Sequence, residues 1–292
     1  MNILLIGNPI SSGGHAGKRI KKLSLLLEER GHNVSSYLTR FAGDGKEMIS
    51  SLCLGMDRAV VVGGDGTLNE IINGLESSFT CPILHFPTGN ANLLAQDLKL
   101  PQRFSRVVDL IEQGKTIMAD VGVMNESRFL MVCGMGFDAR VTEEVKKVRK
   151  GKVSNLSYVL PFFRAMKTMS QAPLTVRIDG KAIEAQGQAV LVCNVRNYAG
   201  ICEIAYDAGV TTGGLDVVVL PGENLLSLLS YLAYAKFSRI TRLKDVVYLK
   251  AEKQVIIQSE SLIPVELDGD FHGRHTQVTI DIIKGLVPLI VP

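Results

Sequence analysis

The sequence predicts an α/β N-terminal domain, a parallel sheet with flanking helices, followed by a mainly antiparallel β domain. Two observations predict this order. Before about Asp120, short apolar runs alternate with helical segments, as in a parallel α/β layer. After it, strand-like runs follow one another with few helices between them, which is typical of antiparallel β structure. We therefore expect domains at residues 1–122 and 123–283, without a Ser/Gly-rich linker between them.

The elements of the N-terminal half follow from apolar periodicity and from glycine positions. In the first helix, Ile20, Leu23 and Leu27 share one face, and Gly31 is expected to end that helix as a C-cap. Further helices are expected around residues 46–54 and from Thr67 onward. The predicted strands are residues 3–6, 34–38, 59–62 and 83–86.

The second half is predicted to contain eight strands and three helices. The strands are residues 128–133, 174–178, 189–195, 215–220, 246–249, 255–258, 264–267 and 277–283. The helices are expected at about residues 139–148, 156–168 and 225–237.

Composition excludes several classes of protein. The 292 residues are enough for two cores, and a net charge of +3 is too small to indicate nucleic-acid binding. The five cysteines include no Cys-x-x-Cys pair, which indicates reduced thiols in a cytoplasmic protein. The N-terminus lacks a signal-peptide pattern, and the apolar stretch 225–235 is shorter than the roughly 20 residues that span a bilayer. We therefore expect a soluble, cytoplasmic protein.

The stretch most informative about function is Gly63-Gly64-Asp65-Gly66, which directly follows the buried strand 59–62. Three glycines let the backbone approach a ligand closely. Thr67 and Glu70 have capping-box spacing, so a helix is expected to begin at Thr67. The start of a helix presents N–H groups and a positive dipole end, which suit a phosphate.

Asp65 needs a separate explanation, because a carboxylate repels phosphate. Beside a cation such as Mg²⁺ the same carboxylate is favourable. The stretch therefore indicates a nucleotide-phosphate loop with a metal-linked acid. The alternative is an ordinary strand-to-helix turn, which a lone Gly-Gly would favour but the full string does not.

Two further loops repeat this pattern of small polar residues after a strand. Their members are Asn8, Pro9, Ser12 and Gly13 in the first, and Thr88, Gly89 and Asn92 in the other. Loops at the carboxyl ends of parallel strands gather at one edge of the sheet, where ligands bind.

A second acidic motif, Asp268-Gly269-Asp270, ends a predicted strand. Paired acids could accept a proton from a substrate hydroxyl. The motif alone is a weak signal, because Asp-Gly is common in hairpin turns. His272 and His275 follow, and we expect surface histidines rather than a metal site.

Two basic clusters also occur in the second half. One has five cations within residues 146–152, and the looser one comprises Lys236, Arg239, Arg242 and Lys244. Solvated surface charge explains either one. The alternative is contact with an anionic membrane surface, worth about 1 kcal/mol per cation.

Together these residues resemble the diacylglycerol kinase catalytic-domain family, in particular its soluble bacterial lipid kinases. The resemblance spans nearly the whole chain and implies an NAD-kinase/diacylglycerol-kinase-like two-domain fold, with ATP in the cleft and a lipid in the β domain. In that family the chain end usually returns to the first domain, so residues 284–292 are expected to join it. The matching segments are Asn8-Pro9 with Ser12-Gly13, Thr39, Gly63 to Glu70, Asp120, Phe129, Gly136 to Ala139, Gly214 to Asp216, and Asp268 to Asp270.

The resemblance implies ATP- and Mg²⁺-dependent phosphorylation of a lipid hydroxyl. Asp270, with Asp268 beside it, would accept the hydroxyl proton, and Asp65 would act through the metal. The implied metal residues are Asp65, Asp120, Leu215 and Asp216, the last two in a segment that holds a structural Mg²⁺ partly through backbone carbonyls. The implied ATP-binding residues are Asn8, Pro9, Ser12, Gly13, Thr39, Gly63, Gly64, Asp65, Gly66, Thr67, Asn69, Glu70, Thr88, Gly89 and Asn92.

Two departures from the family pattern bear on activity. Leu93 occupies a position that is often acidic in the third loop, although sphingosine-kinase-like relatives also carry a non-acidic residue there. Asp270 replaces a glutamate and is one methylene shorter, and a misplacement of roughly 1 Å can cost about 10²-fold in rate.

The expected partners are a lipid substrate and an anionic membrane surface contacted peripherally, with no nucleic acid; a homodimer is left open. Two alternatives remain. An NAD-kinase-like phosphotransferase shares the Gly-Gly-Asp-Gly-Thr loop. A non-catalytic lipid- or nucleotide-binding relative is motivated by Leu93 and Asp270.

Overall fold

A computed structural model describes residues 1–9, 14, 16–89, 91–148, 161, 164–165, 174–200, 202–221, 230–231, 234, 243 and 245–292. The chain divides into two compact units. Unit 1 comprises Met1–Val121 together with Lys284–Pro292, and unit 2 comprises Gly122–Ile283.

Unit 1 is built on a parallel sheet. Leu5 pairs with Val60, and Val60 pairs with Leu84, so three apolar side chains align across the sheet in one core. The strands are β1 (Asn2–Gly7), β2 (Asn33–Leu38), β3 (Arg58–Gly63) and β4 (Ile83–Pro87), in the spatial order β4-β3-β1-β2. The helices are α1 (Ala16–Glu28), α2 (Asp44–Leu52), α3 (Asp65–Ile72), α4 (Leu93–Asp97) and α5 (Phe104–Gln113).

Unit 2 is mainly antiparallel, and its described residues include a twelve-residue helix, α6 (Phe137–Val148). Its strands are β5 (Lys115–Met124), β6 (Ser127–Phe129), β7 (Val132–Gly136), β8 (Leu174–Ile178), β9 (Lys181–Gly187), β10 (Ala189–Cys193), β11 (Asn197–Tyr198), β12 (Cys202–Glu203), β13 (Leu215–Leu220), β14 (Val247–Ala251), β15 (Gln254–Leu267) and β16 (Asp270–Val291). The strands β14-β13-β10-β7-β15 lie side by side in that order.

Strands β5 and β16 each run from one unit into the other. The last residues of β16 belong to unit 1, where Leu289 pairs with Ile83 of β4 in parallel. Within unit 2, β15 and β16 form a long hairpin that closes with Leu267 opposite Asp270.

The predicted fold class is confirmed: the first unit has a parallel sheet with helices, and the second is mainly antiparallel. All five cysteines are free and buried. Across the part of the chain that the structure describes, no helix combines the length and apolarity needed to cross a bilayer.

Several predicted element boundaries are wrong. The predicted strand 128–133 is two strands, β6 and β7, with a break between them. The predicted strands 255–258 and 264–267 are parts of one strand, β15, whose pairing with β16 shifts register between them. The prediction for 277–283 covers only the middle of β16.

Other elements were not predicted from the sequence. They are helix α5 and strands β5 and β9. The apolar residues at 107, 108, 110 and 111 have helical spacing, so the sequence did carry a signal for α5. Most of the helices predicted at residues 156–168 and 225–237 lies outside the described residues.

Candidate active site

Helix α3, which follows the glycine loop, begins two residues earlier than predicted. Gly64 is its N-cap residue and Asp65 is its first residue. The start predicted at Thr67 is wrong, because Glu70 closes no capping box: its Oε1 accepts the N–H of Gly45 at 2.8 Å. The helix dipole and the N–H groups of the first turn therefore stand at the glycine loop itself, where they suit an anion.

The glycine loop and the loop after β4 pack backbone against backbone. A Cβ on Gly89 would lie 2.8 Å from the Cα of Gly64, and a Cβ on Gly63 would lie 2.5 Å from the Cβ of Thr67. The N–H of Thr88 donates to the carbonyl of Gly63 at 2.8 Å. Positions 63 and 89 therefore have no room for a side chain.

Asn92 shapes the loop after β4. Its Oδ1 accepts the N–H of Gly89 at 2.9 Å, and its Nδ2 donates to the Gly89 carbonyl at 2.7 Å. The next N–H, that of Leu93, donates to Oδ2 of Asp65 at 3.2 Å. Asp65 thus links the start of α3 to the start of α4. The bond between Asn92 and ATP stays a prediction.

A buried histidine, which the sequence analysis did not single out, supports the glycine loop from β4. His85 is 1% exposed, and its Nε2 lies 3.1 Å from the carbonyl oxygen of Gly63. Burial lowers the pKa of His85 to about 4, so the ring is neutral near pH 7 and Nε2–H is the donor. The available signal was a lone polar residue inside the apolar run Ile83–Phe86.

The other predicted residues of unit 1 lie at the same edge of the sheet. Asn8 follows β1, and Thr39 follows β2 with its N–H donating to the carbonyl of Gly7 at 3.0 Å. Because the strands are parallel, these positions share an edge with the glycine loop after β3 and the loop after β4. Pro9 is adjacent, whereas Ser12 and Gly13 lie outside the described residues.

Two residues further along α3 use their side chains within unit 1. The Oδ1 of Asn69 accepts a bond from Asn73 at 3.1 Å, and Glu70 bonds the start of α2 as described above. These contacts brace the helix, and any contact of Asn69 or Glu70 with ATP stays a prediction.

In unit 2, Asp268 is held by backbone groups on both of its carboxylate oxygens. Its Oδ1 accepts the N–H groups of Met131 at 2.8 Å and Val132 at 3.0 Å, and its Oδ2 accepts that of Leu130 at 3.0 Å. The side chain is 8% exposed. Both oxygens thus bond the backbone of residues 130–132, and a share of Asp268 in proton acceptance stays a prediction.

Asp270 has a different environment although it lies only two residues away. It is the first residue of β16, opposite Leu267, and it is exposed. The intervening turn has positive φ at Asp268 (50°) and Gly269 (87°). The turn therefore presents one buried, anchored carboxylate and one exposed carboxylate.

Asp216 is a buried carboxyl group and the second residue of β13. The hydroxyl of Tyr248 donates to its Oδ2 and accepts the N–H of Asp207 at 3.1 Å. Among the described residues, no donor reaches the buried Oδ1 of Asp216. Burial raises the pKa of Asp216, so the group needs a proton or a cation. Leu215 precedes it, opposite Ala251 of β14.

Two family models match the chain in succession. The model described as "Diacylglycerol kinase catalytic domain" matches residues 2–124. The model described as "YegS C-terminal NAD kinase beta sandwich-like domain" matches residues 131–291. This chain belongs to the diacylglycerol kinase catalytic-domain family. The protein is therefore a kinase, a phosphotransferase with an alcohol acceptor.

The similar proteins align with nearly the whole length of this chain. A diacylglycerol kinase of Staphylococcus epidermidis is 28% identical over 273 residues, which are 92% of this chain and 86% of the relative. One of Bacillus subtilis is 25% identical over 272 residues, 92% of this chain and 89% of the relative. The crystal structure of a diacylglycerol kinase from Bacillus anthracis has a TM-score of 0.79 at 23% identity, covering 100% of this chain and 97% of that one. At this identity the structural likeness shows the fold alone.

Few of the described residues could bind Mg²⁺ through their side chains. Within the described ranges, no three His, Cys, Asp or Glu side chains come together as a metal site. Asp120 is buried and its Oδ1 accepts the N–H of Gly285 at 2.9 Å. One or two separate carboxylates fit the usual mode of Mg²⁺ binding, in which they act together with substrate phosphates. Asp65, at the glycine loop, is the carboxylate best placed for that role.

Proposed function

We propose that this kinase transfers the γ-phosphate of ATP, with Mg²⁺, to the hydroxyl of a lipid such as diacylglycerol or a sphingoid lipid. The observation that carries the proposal is the contact between the two glycine loops at the start of α3, with Asp65 as the first helical residue. Such a surface has no side chain at positions 63, 64 and 89 and lies at the N-terminal end of a helix, which lets a polyphosphate approach closely.

In this proposal the N–H groups at the start of α3 bind the phosphates. The loop at Gly89, whose own N–H groups bond Gly63 and Asn92, leaves room for them. Asn8, Thr39 and Thr88, at the same sheet edge, add hydrogen bonds. Mg²⁺, when bound, supplies charge neutralisation for the transferring phosphoryl group, with Asp65 as its protein ligand. Binding and positioning thus belong to unit 1.

Proton acceptance is assigned to Asp270 alone. Its carboxylate is exposed, whereas that of Asp268 accepts three backbone N–H bonds. Asp268 instead fixes the turn from which Asp270 projects. A positioned base of this kind contributes about 10²–10⁴-fold to the rate of transfer.

The lipid acceptor is supported by the relatives, which carry the name diacylglycerol kinase. For Asp216, a structural Mg²⁺ would supply the positive charge that its buried Oδ1 lacks. Identification of the phosphorylated lipid product will give the headgroup and the acyl chain of the substrate.

The first test follows labelled γ-phosphate from ATP with Mg²⁺ into a mixed lipid extract, with NAD in a parallel tube. We expect a labelled lipid from the wild-type protein and a loss of at least about 10²-fold in Asp65→Asn, because the metal-linked charge is removed. Asp109→Asn, a partly exposed acid on α5 that pairs with Arg30 in the same unit, is the matched control and is expected to stay near wild type.

Three results would change the proposal. Label in NAD alone would favour the NAD-kinase-like alternative. ATP binding without label in either tube would favour a non-catalytic relative. Full transfer by a folded Asp65→Asn would remove Asp65 from the mechanism.

A further inference from the structure

Two carboxyl groups meet inside unit 2, close to the turn that carries Asp270. Asp138 is the second residue of α6, and Glu266, 3% exposed, lies on β15 two residues before Asp268. Gly134 of β7 lies between them: a Cβ there would be 2.7 Å from Oε1 of Glu266 and closer still to Oδ2 of Asp138. The absence of a side chain at position 134 is what lets the two groups approach each other.

The other oxygen of each carboxyl group already has a donor. The N–H of Gly269 donates to Oε2 of Glu266 at 2.6 Å, and the hydroxyl of Tyr198 donates to Oδ1 of Asp138. No N–H or O–H group of the described residues reaches the buried Oδ2 of Asp138. The geometry therefore leaves one oxygen of each group facing the other, with a place for one proton between them.

Among the described residues, the groups found beside the pair are neutral or acidic. The groups that face the pair are the thiols of Cys133 on β7 and Cys193 on β10, the hydroxyl of Tyr198 on β11, and the carboxylate of Asp268. Burial raises the pKa of Asp138 and that of Glu266. Two carboxylates in such a site cannot both ionise, so they titrate as a pair that holds one proton.

We propose that Glu266 and Asp138 share one proton and act as positioning residues for the turn that carries Asp270. The proposal rests on the proposed function, in which Asp270 accepts the hydroxyl proton. Through Gly269, the carboxyl group of Glu266 holds one side of the turn, while Asp268 anchors the other side to the segment before β7. Loss of the shared proton puts a second negative charge into the site and drives Glu266 away from Asp138, which releases the turn.

The first experiment measures the pH dependence of unfolding by urea and needs no substrate. Glu266 keeps its proton in the folded state above the pH at which the unfolded chain loses it, so wild-type stability falls as pH rises through that interval. In Glu266→Gln the amide donates to Asp138 and accepts from Gly269 at every pH. Its folding constant relative to wild type should therefore rise with pH, by up to about tenfold per unit from pH 5 upward.

Two further variants sharpen this test. Asp281→Asn, an exposed acid on β16 bonded to Gln254, is the control and should leave the pH dependence unchanged. Asp138→Asn should behave like Glu266→Gln, and it replaces Glu266→Gln in this experiment if Glu266→Gln fails to fold. The double variant should be less stable than either single one, because two amide NH₂ groups then face each other. Parallel pH curves for wild type and both single variants would overturn the inference.

The second experiment measures kcat for phosphoryl transfer against pH. Wild type should lose activity at alkaline pH as the pair loses its proton, whereas Glu266→Gln should stay within about threefold of neutral wild type and lose that alkaline decline. Glu266→Leu, which cannot bond Gly269, should lose at least about 30-fold in kcat with an unchanged KM for ATP. Full kcat in Glu266→Leu would refute the positioning role. Absence of transfer by wild type refutes the proposed function instead, and the unfolding curves still decide the proton sharing.

Discussion

At the scale of single residues, the Asp268-Gly269-Asp270 turn places its two carboxylates in different environments. Asp268 is buried and accepts three backbone N–H bonds, whereas Asp270 is exposed at the start of β16. The spacing predicted the pair of acids. It could not assign the roles, because the donors at residues 130–132 are more than 130 residues away in the chain.

Asparagine substitutions distinguish the two roles. In Asp268→Asn, one amide NH₂ must face a backbone N–H, so we expect a loss of about 2–3 kcal/mol in the free energy of unfolding. Asp270→Asn should leave stability within about 0.5 kcal/mol, as at most surface sites, and lower transfer by about 10²-fold or more. Urea unfolding and labelled phosphate transfer, run on both variants, measure the two effects. A stable Asp268→Asn, or a fully active Asp270→Asn, contradicts the assignment.

At the scale of elements, the sequence predicted what depends on local composition. The strand at β3 was predicted because Ala59 to Val62 are small and mostly β-branched, and all of them are buried. The start of α3 was mispredicted because Glu70 bonds Gly45, a partner 25 residues away. The break between β6 and β7 was also missed, since the carboxylate of Asp268 bends the chain there. Long-range bonds of this kind have no local signal.

The contact between the two glycine loops yields a prediction about the elements that carry them. Gly89→Ala puts a Cβ 2.8 Å from the Cα of Gly64, so the loops must separate. We expect at least about a tenfold rise in KM for ATP and a loss of about 1–3 kcal/mol in stability. Steady-state kinetics against ATP and urea unfolding measure the two effects.

Gly17→Ala is the matched control for that experiment. Gly17 lies in α1, and a Cβ there would meet only the Cδ1 of Leu38, at 3.8 Å. Removing a helical glycine should stabilise the protein by about 0.5–1 kcal/mol and leave KM for ATP unchanged. If both variants raise KM equally, the loop contact is not what binds the nucleotide.

At the scale of the whole molecule, charge is distributed unevenly although the net value is only +3. The segment 146–152 holds five cations. Its described members end α6, where Lys147 pairs with Glu144 at 2.6 Å and Lys146 lies 5.5 Å from the ring centre of Phe271. Phe271 directly follows Asp270, so Lys146 lies near the proposed base within unit 2. A surface on which a lipid kinase contacts an anionic membrane would have this composition.

The corresponding prediction concerns binding to vesicles. Each cation near an anionic surface contributes about 1 kcal/mol, so Lys150→Gln with Lys152→Gln should weaken binding to phosphatidylglycerol-containing vesicles by about 30-fold. Binding to pure phosphatidylcholine should be weak for every variant, and added salt should reduce the difference. Lys18→Gln with Lys21→Gln removes the same charge from exposed positions of α1 and is the control. Equal losses in the two double variants would mean that net charge, and not this segment, attracts the protein. A selective loss would assign the membrane contact to segment 146–152, in the same unit as Asp270.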